Sequence, residues 1–364
     1  MNNPEDNPTS WSPGQKLGTG LVLLGFIGWS VASMEWKLST AGEALYFLLL
    51  PALLLALYFV DRQVWEPLPN KGLFFILLVA WLAVFQFFGN SLFGYIHSSS
   101  LFQCLYQTYN NPNPSSDDGH GSFIPFLVVG LMWWKRRELM AGPTKLWWPA
   151  LGLVVLAMLL HIVSYVLQQP RPSVIAFFLG IYGLMGLIWG PGWLRRCFFP
   201  FFLFAFAMPL GGLGAAITVP LQVLVSWLVE MVAHYILGIE IIRHGTQLID
   251  PTGTYQYVVA AACSGIRSLI AIFLIATVYA FFVFRSPWKR LLIMASAFPL
   301  AVLGNLARML LIIIAAEIGG QSAGSYVHES TVISLVPYIP AIAGVLLLGW
   351  WMEERPMPNG QEAA

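Results

Sequence analysis

Charge is what this sequence has least of. Only 10% of its 364 residues are Asp, Glu, Lys or Arg, against about 25% in soluble domains. That scarcity excludes an ordinary water-soluble globular chain. The 18 basic and 17 acidic residues nearly cancel, which removes the basic excess that a nucleic-acid partner demands. Cysteine is scarce too. The three residues Cys104, Cys197 and Cys263 sit at unrelated spacings, with no disulfide framework, no zinc pattern and no Cys-x-x-Cys pair. Neither a metal nor another cofactor is expected. The start, "MNNPEDNPTSWSPGQK", lacks the basic end and apolar core of a cleavable leader, so the first apolar run is expected to stay in place.

What is abundant is apolar surface: 58% of residues are hydrophobic and the mean hydropathy is +0.72. Runs long enough to cross about 30 Å of hydrocarbon recur along the chain. Spans are expected near 17–33, 43–60, 72–94, 122–134, 146–167, 173–190, 197–213, 258–284, 291–315 and 331–351. The fourth is short for a crossing. The expected fold class is an all-α polytopic membrane protein with about ten transmembrane helices.

Basic clusters orient such a chain. "WWKRRE" (133–138), "WLRR" (193–196), "FRSPWKR" (284–290) and "EER" (353–355) belong on the cytoplasmic side, and the stretch 96–122, without Lys or Arg, on the outer side. An even number of crossings must then separate Arg196 from Arg285. The spans 197–213 and 258–284 supply two, so segment 214–238 is set aside as a crossing. Its Thr218, Gln222, Ser226, Glu230 and His234 recur every fourth residue, one polar stripe on a helix. It reads as an amphipathic helix on the outer face or folded back into the bundle. Next, "IEIIRHGTQLIDPTGTYQYVV" (239–259) alternates β-branched residues around Gly245 and "DPTG", the mark of a small β element with two tight turns.

Polar residues inside the spans carry the functional argument. Cys263 and Arg267 lie near the outer end of one span, Asn305 and Arg308 in the outer half of the next, and His328 in the outer loop "QSAGSYVHESTV" after it. A thiol, a guanidinium and an imidazole thus fall at one depth. An ionisable side chain inside a span costs at least a few kcal/mol and is a functional candidate by default. These groups suit nucleophilic acyl transfer: the thiolate attacks a carbonyl, the imidazole moves the proton, and the guanidinium holds the oxyanion. Blander readings stand beside this one. Cys263 also fits as a small apolar filler, His328 as a solvated loop residue, and Arg308 as half of a structural ion pair with Glu317 or Glu230. His161, Glu230 and His234 read as polar groups of the bundle interior. Cys104, also on the outer side, offers a disulfide partner to Cys263.

The string "AACSGIRSLIA", then "PLAVLGNLARMLLI" and "YVHES", resembles the exosortase/archaeosortase family of multi-pass membrane cysteine transpeptidases. So does "DDGHGSFIPFLVVGLMWWKRR" (117–137), which is similar to that family's His-Gly segment before a basic stop. The likeness spans about 116–350 and divides the chain into 1–115, a site-bearing domain 116–351, and a tail 352–364. It implies Cys263 as nucleophile, Arg308 as oxyanion or substrate stabiliser and His328 as general acid/base. Ser264, Gly265, Arg267, Asn305 and His120 are implied in support. The substrates implied are exported proteins whose C-terminal tail joins a motif such as Pro-Glu-Pro, an apolar helix and a basic cluster. Membrane lipids and a surface acceptor, a glycan or a lipid, complete the expected partners. The expected location is the inner membrane, with the site on the outer, periplasmic side. A polytopic transporter or polysaccharide-export component is the alternative, and a scaffold or thiol oxidoreductase fits less well.

Overall fold

The computed structural model describes residues 41–89, 100–110, 118–210, 212–259, 266–330 and 338–352. The expected first span, at 17–33, lies outside the described residues. The chain is an all-α membrane protein with one small β-sheet. Among the described residues, four helices are long and apolar enough to cross a membrane: Trp148–Leu167, Pro170–Trp189, Ala216–Leu237 and Pro287–Glu329. Three shorter apolar helices are Lys71–Phe87, Leu269–Val283 and Ile339–Trp351. The chain divides into two compact units at Pro209/Leu210.

In the first unit, α1 is Ala41–Val60, α2 Lys71–Phe87, α3 Leu101–Tyr109, α4 Ile124–Trp134, α5 Leu151–Leu167, α6 Pro170–Trp189 and α7 Pro191–Phe202. Helices α5 and α6 form a hairpin, closed where Gln168 takes a left-handed turn and Pro170 opens the next helix. Trp81, Phe85, Leu101, Tyr109 and Phe177 fill the core against them. Trp81 Nε1 donates there to the Phe177 carbonyl at 3.0 Å, the internal pairing that hydrocarbon favours. His161 bonds Ser173 Oγ at 2.8 Å and the Phe88 carbonyl at 3.2 Å, so it belongs to the interior as its sequence context suggests. Outward, α5 presents Val155, Leu156, Leu159, Ile162 and Val166, an apolar arc suited to lipid.

Two boundaries differ from expectation. The segment 122–134 is a 3-10 turn followed by the 11-residue α4, about 17 Å long. The crossing expected at 197–213 is not one helix: α7 opens at Pro191, carries Arg195 and Arg196 inside it and ends at Phe202, where a 3-10 turn Leu203–Ala207 follows. Pro at the first helical position fixes that start.

In the second unit, α8 is Gly212–Val232, followed by a π-helical turn Ala233–Leu237. Strands β1 (Ile242–His244), β2 (Gln247–Ile249) and β3 (Gln256–Val258) precede α9 (Ile266–Val283), α10 (Pro287–Glu329) and α11 (Tyr338–Trp351). Helices α9, α10 and α11 pack through Ala276, Ala280, Ala297, Ala301 and Ala341, small residues that let helix axes approach closely. The predicted β element is present as a three-stranded antiparallel sheet, order β1-β2-β3, with Gly245 and Gly253 at positive φ in its turns. Because the sheet runs to Val258, the helix expected from 258 begins later.

Helix α8 turns its polar stripe inward. Thr218 and Ser226 are buried, while Ile217, Val219, Val223, Leu224 and Trp227 are exposed. A helix resting on water would show the reverse, so the outer-surface option gives way to a helix folded into the bundle with its apolar face in lipid. His234 departs from the stripe: it is exposed, against the interior position expected of it. The π turn adds a residue to the repeat and rotates the face.

Candidate functional site at a helical elbow

Helix α10 is not straight. Gly320 has φ 73° and ψ −171°, a conformation open in practice only to glycine. In an unbroken helix Arg308 and His328 would stand about 30 Å apart. Here Arg308 Nη2 donates to the His328 carbonyl at 3.5 Å. The chain therefore folds back at Gly320, and 321–329 returns as a helical arm along 308–319. Gly324 makes this approach: a Cβ there would meet Tyr257 Oη at 2.1 Å and Ala316 Cβ at 2.9 Å. The expectation of an outer loop carrying His328 is corrected to a returning helix.

The sheet clamps the elbow. Tyr255 Oη donates to Glu317 Oε2 at 3.0 Å, the Gln256 amide to Gln321 Oε1 at 2.8 Å, and Tyr257 Oη to the Gln321 carbonyl at 2.9 Å. Burial first, and then the Glu317 carboxylate, pushes the Tyr255 phenol up, keeping it a donor. Val225, Val229, Leu248, Val259, Met309 and Ile313 share one buried cluster beneath this contact. Neither Gly320 nor Gln321 was singled out as a site-forming residue from sequence. The signal was the Gly319-Gly320 pair followed by Ala323 and Gly324, a kink and a small-residue packing face.

Arg308 is half-buried, and its Nε is buried with no hydrogen-bond partner among the described residues. The carboxylates offered to it as structural partners are engaged elsewhere. Glu230 pairs with Arg243 at 2.6 Å, and Glu317 accepts from Tyr255. No ion pair among the described residues includes Arg308. A cation at this depth without a carboxylate is costly unless a ligand completes it.

Asn305 is buried one turn before Arg308 on the same helix. Arg267 lies in the first turn of α9. Cys263, Ser264 and Gly265 fall outside the described residues. His120 is half-buried in the 3-10 turn Asp118–Ser122 of the first unit. The structure thus brings Arg308, Asn305 and His328 onto one hairpin.

The remaining thiols are free and buried. Burial pushes Cys104 up to about 11, which leaves it almost wholly protonated near neutral pH. Maleimide is accordingly expected to label the folded protein at Cys263 and to leave a Cys263→Ala variant unlabelled. Equal labelling of that variant would contradict this assignment.

Fold and site define an all-α membrane protein whose helical elbow holds a guanidinium with no carboxylate partner among the described residues. Residues 110–347 match the family model described as transmembrane exosortase, and the chain belongs to that family of membrane transpeptidases. No curated protein and no solved structure matches it.

Proposed function

We propose that the protein is a membrane-embedded cysteine transpeptidase that cleaves the C-terminal sorting signals of exported proteins. The observation that carries this reading is the fold at Gly320, which returns His328 to an Arg308 that has no carboxylate partner among the described residues. Cys263 Sγ attacks the scissile carbonyl while His328 accepts the thiol proton. Arg308 stabilises the oxyanion or holds the substrate carbonyl. Collapse of the tetrahedral species breaks the C–N bond, with His328 returning its proton to the departing amine and a thioester left on Cys263. An acceptor nucleophile, on a glycan or a lipid, then takes the acyl group and frees the thiol. Asn305 orients Arg308, and Ser264, Gly265, Arg267 and His120 support the site.

The reading places this chemistry in domain 116–351, on the outer, periplasmic side of an inner membrane, within a bundle of about ten crossings. A substrate tail helix in the bilayer would hold its motif at the depth of the elbow. The test is co-expression with an exported reporter ending in Pro-Glu-Pro, an apolar helix and a basic cluster. Wild type is expected to process it, and Cys263→Ala and His328→Ala to leave it full length. Processing that persists in Cys263→Ala would sink the reading.

A further inference from the structure

Among the described residues, β3 is an edge strand of the sheet, and it lies close in sequence to Cys263. Asp250 N–H bonds the Tyr255 carbonyl at 3.1 Å, and Val259 N–H bonds the Thr246 carbonyl at 2.8 Å. With Leu248 opposite Tyr257, residues 255, 257 and 259 direct their backbone groups to β2. In an antiparallel ladder the intervening residues must then direct theirs the other way. Gln256 and Val258 therefore point N–H and C=O away from the sheet, and both side chains are exposed.

That edge already holds one carbonyl. Gln321 Oε1 accepts the Gln256 N–H at 2.8 Å, where the peptide oxygen of a neighbouring strand would sit. The Gln256 carbonyl and both backbone groups of Val258 make no hydrogen bond among the described residues. The opposite edge differs. Strand β1 is packed against α8 and tied to it by the Arg243–Glu230 pair. Val258 is five residues before Cys263, a chain reach of at most about 18 Å.

We infer that β3 is the docking strand for the substrate: the extended recognition segment of the exported protein pairs with the outer edge of Gln256–Val258. This rests on the transpeptidase reading and names where its substrate binds. Main-chain pairing supplies a sequence-tolerant hold, and alternate side chains of the added strand face the exposed and buried sides in turn. Gln321 caps one donor of the edge and so limits unwanted pairing with other chains.

The test uses the full-length Cys263→Ala protein, which retains uncleaved reporter, with the same Pro-Glu-Pro tail. A single cysteine replaces Val258, or His244 on β1 as a control, and a reporter cysteine is moved stepwise through the segment before the tail helix. Under mild oxidation, Val258→Cys is expected to cross-link several-fold more strongly to every second reporter position, and His244→Cys to show no such preference. Cross-linking without alternation, or equally from His244→Cys, overturns the docking strand. Processing by wild type is measured in parallel. If wild type processes the reporter and no cross-link forms at Val258→Cys, docking alone fails. If wild type leaves it intact, the transpeptidase reading fails and the inference with it.

Discussion

Arg308→Ala is expected to slow reporter cleavage by about 10²–10³-fold, the usual loss when a donor to a developing oxyanion is removed. The argument rests on what surrounds the guanidinium. Among the described residues its Nη2 reaches a carbonyl, that of His328, at 3.5 Å, and its Nε is buried without a partner. Arg243 in the same unit is different, since it pairs with the Glu230 carboxylate. Arg308→Lys separates the two roles. Lysine keeps the charge but loses the planar fork, so a site that needs two directed N–H groups stays impaired. Near-normal cleavage by Arg308→Lys would reduce Arg308 to a tie for the His328 backbone.

Gly320→Val is expected to abolish cleavage while the protein still inserts in the membrane. A Cβ at Gly320 would meet no atom within 4 Å, so crowding is not the obstacle. The obstacle is φ 73° with ψ −171°, which costs a residue with a side chain about 1–3 kcal/mol. A β-branched residue relieves that strain by leaving the bend, which carries His328 away from Arg308. Ser322→Ala is the control, since Ser322 is exposed and its hydroxyl makes only a 3.4 Å bond to the Gly319 carbonyl. The pair is compared by reporter cleavage at matched membrane levels. Full activity in Gly320→Val would show that the elbow does not position the site.

Local patterns were legible in the sequence, and contacts across a bend were not. The three-stranded sheet follows from alternation and two turn signals within twenty residues, so short-range chemistry decides it. His161 could be placed inside because it lies mid-helix in an apolar run with nowhere else to satisfy its ring. The returning arm is different. "GGQSAGSYVHES" reads as a helix end and a polar loop, because a window of residues cannot sense that Gly324 meets Ala316 and Tyr257. The device that joins Arg308 to His328 is one backbone angle, at Gly320. The stripe on α8 was seen, but its direction was fixed only by which residues are covered. At its end, the π turn moved His234 off the expected face, a change of hydrogen-bond register that composition does not record.

The most direct measurement is the identity of the residue that becomes acylated. Full-length protein is mixed with the tailed reporter, quenched in acid before the acceptor step completes, digested and mapped by mass spectrometry. The account predicts the cleaved reporter's new C-terminus as a hydroxylamine-sensitive thioester on Cys263, absent from Cys263→Ala and scarce in Arg308→Ala. Cleavage that leaves no adduct on Cys263, or an adduct on any other residue, would contradict it.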